Sequence, residues 1–509
     1  MLGPVGSLRL DLARAAFASG GVEMVTRVLT ILLSIATARA LEPGEVGLLG
    51  LAVIVVGTLS LVTACAETAG VIGREAGADS QYALAAVVVR GVVTAALLGV
   101  ALPLLPPLAR LLAGHAVADT ELIGLIRLLL WQVLFDLAAT YPRVVLQRRI
   151  RLVPLAGASL LQISAHVGLS LLLLWEGYGA TGVVSSSLVS GGLSAAFLWC
   201  QVYRAGPTWR GGGVGAVLWR QTLMSTARVS AASIVGYLNG RLSNLLVAGV
   251  LGPAAMSFYG LAWSASRLPV WILSQALGPV LVPTLSHVRS DALRVERILR
   301  ESLRHAYVLL VPAPALLIVT AEPLVTAILG PRWLPVVPAL RVMSVSALLA
   351  PLVVAFNAFL VATDRAHLTG LATAAQLATI AAFVVPLAAR WGVVGAAIGD
   401  LVSTAVLAGV LYGLCRVRTP EVGWQVLRAA SVPLLAALTA GLLAWYLAPV
   451  FPAGVVALAG QAGLLMVGYV GGISLLGGRR RLLGLAALVR DLVRRPPPPA
   501  MAPRTVERR

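Results

Sequence analysis

The chain has 509 residues, of which 59% are hydrophobic and only 12% are charged, and its formal net charge is +19. Soluble domains carry about 25% charged residues, so this composition excludes a soluble globular protein. A charge of +19 would suit a nucleic-acid partner, but the basic residues are all arginine and most of them flank apolar runs. That placement is typical of the cytoplasmic loops of membrane proteins. The sequence therefore predicts a membrane protein without a nucleic-acid partner.

Apolar runs near 20 residues long recur from end to end, and each can cross the hydrocarbon core as a helix. About fourteen such spans are predicted, so the expected fold class is an all-α polytopic membrane protein. Arginines are frequent after the even-numbered spans and at both chain ends, which places both termini in the cytoplasm. The predicted spans are 17–38, 47–71, 84–112, 121–145, 153–175, 179–203, 224–250, 256–284, 303–329, 335–363, 367–389, 392–415, 424–447 and 453–476.

Spans 1 and 2 each place charged residues inside an apolar run. In span 1, Glu23 and Arg27 begin a polar stripe that continues at steps of three and four, which is a single helix face. These two residues either pair with each other or contact a substrate or coupling ion. In span 2, Glu67 is either a second coupling residue or a solvated helix end. The sequence leaves both alternatives open.

The turn between spans 1 and 2 recurs between spans 7 and 8. A Leu-x-Pro pattern followed by Gly-Leu-Ala occupies residues 41–52 and again residues 251–262. Parallel repeats of helical bundles are typical of transporters. We therefore predict two parallel six-helix repeats plus two C-terminal helices. Other residues recur at a similar separation in the sequence: Gly179 and Gly182 recur as Gly392 and Gly395, and Arg127 recurs as Arg341.

The predicted organisation follows from this repeat. It comprises an N-terminal six-helix bundle (1–203), a Gly-rich cytoplasmic connector (204–221), a C-terminal six-helix bundle (222–416), two additional transmembrane helices (417–476) and a basic cytoplasmic tail (477–509). Within the tail, residues 479–495 predict a basic amphipathic helix on the anionic cytoplasmic leaflet. Anionic membrane lipids are thus a predicted partner.

Span 7 carries a polar stripe at positions equivalent to those of span 1, and span 8, like span 2, has polar residues that share one helix face. An arginine at a helix centre costs about 2.5–3.5 kcal/mol on insertion scales, so these arginines should face an aqueous cavity. Guanidinium groups bind phosphate through paired hydrogen bonds, which favours a diphosphate as the ligand. The substrate-binding candidates are Arg27, Tyr237, Arg241, Asn244, Trp263 and Arg267, and the coupling candidates are Glu23 and Glu67.

Other charged residues in the spans are weaker candidates, because helix packing or snorkelling explains them as well. Cys65, Cys200 and Cys415 lie far apart, and the five histidines show no metal-ligand spacing. No disulfide framework, metal site, cofactor or catalytic residue is predicted. The weaker candidates are Arg90, Asp136, Arg228 and Asp400, together with Arg127 and Arg341 near the outer ends of their spans.

Short motifs occur in a fixed order along most of the chain. They are the Leu41-x-Pro43 turn with Gly47, Leu146-Gln147-Arg148, Gly179-x-x-Gly182, Asn239 to Asn244 followed by Leu251-Gly252 and Tyr259, Pro269, Pro283-x-Leu285-Ser286, and Gly330-x-x-Trp333 with Leu340-Arg341. Together they resemble the polysaccharide transporter family. That family belongs to the multidrug/oligosaccharidyl-lipid/polysaccharide flippase superfamily, and the resemblance covers residues 10–476.

The resemblance implies a flippase of the bacterial plasma (inner) membrane. Such a protein would move undecaprenyl-diphosphate-linked oligosaccharide to the outer leaflet for lipopolysaccharide, capsule or exopolysaccharide assembly. It also implies that arginines in a cavity bind the diphosphate, a role that Arg27, Arg241 and Arg267 fit by position. Other polysaccharide-assembly proteins are further candidate partners.

Two other functions compete with this prediction. A multidrug or cation antiporter of the same fold would bind organic cations, which favour acidic and aromatic lining, so the arginines count against it. A membrane glycan polymerase or ligase would need a sizeable outer loop with catalytic residues, whereas the predicted outer connections are short and poor in His and Glu. The sequence therefore favours a transporter over an enzyme.

Overall fold

The computed structural model describes residues 4–71, 79–113, 116–204, 216–289, 291–418, 428, 430–451 and 455–477. Most of the predicted connector (205–215) and the predicted amphipathic tail (479–495) lie outside these residues. The helices are α1 (Pro4–Ala40), α2 (Pro43–Val71), α3 (Asp79–Ala113), α4 (Ala116–Arg148), α5 (Leu152–Trp175), α6 (Gly179–Arg204), α7 (Ala216–Leu251), α8 (Pro253–His287), α9 (Ala292–Leu310), α10 (Pro312–Val319), α11 (Ala321–Ile328), α12 (Val336–Ala347), α13 (Ala350–Ala362), α14 (Ala366–Arg418), α15 (Ser431–Tyr446) and α16 (Val455–Gly477).

The described residues are helical nearly throughout and contain no strand. Ten helices are long and apolar enough to cross a membrane, or up to twelve when α7 and α8, each of which is bent, count as one span each. The predicted all-α polytopic class is therefore confirmed, whereas the number of fourteen spans stays a prediction.

The helix that contains the start of the ninth predicted span, 303–329, begins before that span. In the structure α9 already begins at Ala292, where the Asp291 carboxylate accepts a hydrogen bond from the Arg294 backbone N–H at 3.1 Å. The sequence does not show this earlier start because the first half of α9 is amphipathic. Val295 and Leu299 are buried, while arginines occupy the other face of the helix. Hydropathy alone does not recognise such a segment.

The two glycine pairs that recur in the sequence, Gly179 with Gly182 and Gly392 with Gly395, begin with the same backbone conformation. Gly179 and Gly392 both have φ of +59°, which an L side chain rarely adopts. Three residues later, a Cβ added to Gly182 would lie 2.9 Å from Leu173 Cβ, and one added to Gly395 would lie 1.9 Å from the Leu387 carbonyl oxygen. Each pair thus turns the chain sharply and lets the next segment pack tightly against the preceding one.

A second structural repeat lies in the turns that follow α4 and α13. Ile150 and Asp364 are the two non-glycine residues with positive φ among the described residues, at +56° and +59°. They have the same separation as Arg127 and Arg341. The same three backbone hydrogen bonds close both turns. In the first turn the N–H groups of residues 149, 150 and 151 donate to the carbonyls of 145, 147 and 146, and in the second those of 363, 364 and 365 donate to 359, 361 and 360.

The chain divides into two compact units. Unit 1 comprises residues 1–262, 328–339 and 376–403, and unit 2 comprises residues 263–327, 340–375 and 404–509. A buried apolar cluster of unit 1 draws on α3 to α6, and the larger cluster of unit 2 draws on α8, α9 and α13 to α16. The predicted six-helix bundles, 1–203 and 222–416, stay a prediction.

Candidate functional site

Glu23 and Arg27 lie on the exposed part of α1. The Arg27 Nε is 3.5 Å from the Glu23 Oε1, and about half of each side chain is exposed. The hydroxyl groups further along the stripe donate to carbonyls of their own helix, such as Thr30 to Thr26 at 2.7 Å. The sequence left open whether Glu23 and Arg27 pair, and in this conformation they do.

Glu67 belongs to a charged cluster that joins α2, α3 and α4. Its Oε2 is 3.2 Å from the Arg90 Nη1 and 3.7 Å from the Arg143 Nη1. The Arg143 Nη2 is in turn 3.3 Å from the Asp136 Oδ1, and the Arg90 Nη1 donates to the Thr140 hydroxyl at 3.0 Å. Glu67 is therefore not a solvated helix end, because only 14% of its side chain is exposed.

This cluster balances two carboxylates against two guanidinium groups in a largely buried setting. The Arg90 side chain is 2% exposed, and its Nε finds no acceptor among the described residues. Breaking a buried ion pair by removing one partner typically costs about 3–5 kcal/mol, because a charge is left without compensation. The arrangement is therefore suited to holding three helices together, whereas a phosphate would have to displace two carboxylates from Arg143.

The candidates on α7 lie against α2 and α8. The Tyr237 hydroxyl donates to the Ile54 carbonyl of α2 at 3.2 Å. Asn244 is 2% exposed, and its Oδ1 would lie 3.4 Å from a Cβ added to Gly260 of α8. Both side chains thus contribute to helix packing in this conformation, and Arg241 between them is partly buried.

Trp263 and Arg267 lie one turn apart on α8 and belong to unit 2. The Arg267 guanidinium carbon is 5.8 Å from the centroid of the Trp263 ring, within the range of a cation–π contact. The structure thus brings Arg27 to Glu23, Glu67 to Arg90 and Arg143, and Arg267 to Trp263. A shared role of Arg27, Arg241 and Arg267 in substrate binding stays a prediction.

The Gly330-x-x-Trp333 motif binds the end of α1. Trp333 is fully buried, and its indole N–H donates to the Ala38 carbonyl at 2.8 Å. Nearby, the Arg39 Nε donates to the Ile328 carbonyl at 2.6 Å. The motif thus serves packing at the α1 end.

Sequence reasoning missed two partly buried sets of hydrogen-bonded side chains in unit 1. His166 of α5 lies 2.9 Å from the Ser186 hydroxyl of α6, which is also 2.5 Å from that of Ser170. The Asn239 amide of α7 donates to the Gln376 Oε1 of α14 at 2.9 Å. Neither pair has a sequence signal, because partners on different helices follow from packing and not from spacing.

Comparison with known proteins identifies related sequences. A family model described as polysaccharide biosynthesis protein matches residues 36–338, more than half of the chain. An uncharacterized membrane protein in the cps region of Klebsiella pneumoniae is 26% identical over 209 residues, which cover 40% of this chain and 42% of that protein. The lipopolysaccharide biosynthesis protein WzxC of Escherichia coli strain K12 is 28% identical over 123 residues, 24% of this chain and 25% of WzxC. The chain thus aligns with less than half the length of these relatives.

Solved structures share the fold. The lipid II flippase MurJ in an inward closed conformation superposes with a TM-score of 0.72 at 12% identity, covering 94% of this chain and 99% of MurJ. An inward-facing multidrug resistance transporter of the MATE family superposes with a TM-score of 0.63 at 16% identity, covering 80% of this chain and 98% of the transporter. At these identities the likeness shows a common fold alone.

Proposed function

The chain belongs to the polysaccharide biosynthesis protein family, and we propose that it is a flippase for lipid-linked oligosaccharide. The observation that carries this function is the family match over residues 36–338. The names of the Klebsiella and Escherichia coli relatives and the fold shared with a lipid II flippase support it. The substrate would be an undecaprenyl-diphosphate-linked oligosaccharide that serves lipopolysaccharide, capsule or exopolysaccharide assembly.

The membrane would be the bacterial plasma (inner) membrane, with both termini in the cytoplasm. This orientation is supported by the arginines that flank the predicted spans. The substrate would cross by alternating access, in which the binding site opens first to the cytoplasm and then to the outside. Polysaccharide-assembly proteins and anionic membrane lipids are the proposed partners.

Arg27, Arg241 and Arg267 are the proposed contacts for the diphosphate. Arg27 fits this role better than Arg90, because its pairing with Glu23 is half exposed and joins neighbours on one helix. Pairs of this type contribute about 0.3–0.5 kcal/mol, so a diphosphate that offers bidentate hydrogen bonds competes well for the guanidinium. Arg90 is enclosed and committed to Glu67 and Thr140.

Two sources of energy for transport are compatible with the proposed flippase function. Glu23 or Glu67 could bind a proton or a metal cation during turnover, or the membrane potential could act on the charged substrate directly. Glu23 is the better candidate for exchange, since Glu67 is held by two arginines.

The function is tested by deleting the gene in its native host and restoring it in variant forms. The Arg27→Ala, Arg241→Ala double variant should reduce surface polysaccharide by about a hundredfold, because each charge-assisted bond contributes about 1.5–3 kcal/mol. Lipid-linked intermediates should accumulate on the cytoplasmic leaflet. Arg294→Ala is the matched control, because Arg294 is largely exposed and pairs with Asp291. Normal surface polysaccharide in the deletion strain would reject the flippase function.

The alternative is a multidrug or cation antiporter of the same fold, because the MATE transporter shares this fold. Organic cations are disfavoured next to arginines that carry a permanent charge. The same deletion strain discriminates between the two functions. Raised drug sensitivity with unchanged surface polysaccharide would support the antiporter.

A further inference from the structure

One face of α2 lies directly against α7 and the start of α8. A Cβ added to Gly57 would lie 2.6 Å from the Tyr237 hydroxyl oxygen, and one added to Gly47 would lie 1.9 Å from the Pro253 carbonyl oxygen. Cβ atoms in proteins essentially never approach other atoms closer than 3.0 Å. At Gly47 the approaching atoms belong to the backbone, so this approach requires a position without a side chain, whereas a methyl group at Gly57 would displace the Tyr237 hydroxyl. The contact runs along about 15 Å of α2, roughly half of the hydrocarbon core.

The hydrogen bond described on this face is a neutral one. The Tyr237 hydroxyl donates to the Ile54 carbonyl at 3.2 Å, and this carbonyl also accepts the Thr58 hydroxyl at 2.8 Å. A neutral hydrogen bond to a shared acceptor contributes little net stability. The hydrogen bond therefore adds little to the close packing of the two helices.

The other end of α2 is held by charge. Glu67 joins α2 to Arg90 of α3 and Arg143 of α4 within 3.7 Å. Breaking such a buried pair typically costs about 3–5 kcal/mol, because a charge is left without compensation. When the helices move apart, α2 should stay with α3 and α4 and part from α7.

The chain also bends where this contact lies. α7 changes direction by 53° between Tyr237 and Asn239. Gly236 and Gly240 flank the bend, and a Cβ on either would meet nothing within 4 Å. Glycine lowers the resistance of a helix to bending. The bend in α7 therefore lies at the residue that contacts Gly57, between two glycines that ease bending.

We propose that the Gly57–Tyr237 and Gly47–Pro253 contacts form a latch. This latch closes the transport pathway in the outer half of the membrane and opens once in each transport cycle. This inference rests on the proposed function and its orientation, in which the start of α2 faces the outside. Tyr237 is then a positioning residue that holds the closed state, and the glycines are required because they admit it.

The latch is tested by cysteine accessibility in a variant with Cys65, Cys200 and Cys415 replaced by alanine. Ile54→Cys is the reporter, because Ile54 is 3% exposed and shares a helix face with Gly57. A membrane-impermeant maleimide is added outside intact cells. Gly57→Ala should label at least about tenfold faster, because overpacking at the contact disfavours the closed state.

The second variant separates the latch from general misfolding. Tyr237→Phe removes the hydroxyl that the new methyl group would meet, so Gly57→Ala with Tyr237→Phe should label at the same rate as Tyr237→Phe alone. Gly44→Ala is the control on the same helix, because its Cβ would meet nothing within 4 Å. Equal labelling of Gly57→Ala and its parent, or a double variant that labels faster than Tyr237→Phe alone, would overturn the latch. Labelling needs no substrate, so its outcome is independent of the polysaccharide assay.

Discussion

Arg90 is as enclosed as the apolar side chains around it, since only 1% of the residue is exposed. A guanidinium is tolerated in such surroundings when other groups compensate its charge. Glu67 and Thr140 do so across two helix boundaries. The Glu23–Arg27 pair joins neighbours on one helix and is half exposed, so its contribution to stability is small. The Glu67–Arg90 and Glu23–Arg27 ion pairs thus have the same chemistry but differ in how much they contribute to stability.

This difference predicts unequal effects of two matched substitutions. Glu67→Ala should lower the free energy of unfolding by about 3–5 kcal/mol, because Arg90 loses its carboxylate partner inside the helix packing. Glu23→Ala should lower it by less than about 1 kcal/mol. The measurement is the fraction of purified protein that stays monodisperse after heating. Equal effects would contradict the assignment, and Arg90→Ala in the Glu67→Ala background should recover part of the loss.

At the scale of helices and turns, glycines decide where segments approach closely. Gly395→Ala should destabilise the protein strongly, because its Cβ would lie 1.9 Å from the Leu387 carbonyl oxygen and the backbone would have to shift. Gly409→Ala in the same helix should be neutral or should stabilise by about 0.5–1 kcal/mol, since its Cβ would meet nothing within 4 Å. Thermal stability in detergent checks both, and similar losses in the two variants would contradict the role assigned to the close approach at Gly395.

The sequence predicts helices and their ends better than it predicts the side-chain contacts between helices. The break before Gly392 and the turn before Pro253 follow from residues whose backbone preferences are strong. The turns at Ile150 and Asp364 were not predicted, because backbone groups close them and their residue types differ. For a similar reason the sequence does not predict that Arg90 pairs with Glu67 and Asp136 with Arg143. Periodicity identifies the exposed and buried faces of one helix but not which charge on a neighbouring helix will lie opposite.

At the scale of the whole molecule, the distribution of arginines predicts an arrangement that can be measured. Alkaline phosphatase fused after Gly177, between α5 and α6, should be active, because this connection is predicted to lie outside. The same enzyme fused within 205–215 should be inactive, since it folds only after export. Green fluorescent protein at the two positions should give the opposite pattern. The reverse result would invert the orientation and with it the side on which the latch acts.

The turns at Ile150 and Asp364 separate the path of the backbone from the chemistry of the side chain. Both turns have the same hydrogen-bond pattern, yet one carries an isoleucine and the other an aspartate whose carboxylate pairs with Arg289. Because backbone groups alone close these turns, the pattern places no demand on which side chain is presented there. A point mutation at either position can therefore change the contacts of the turn while the direction of the chain stays the same.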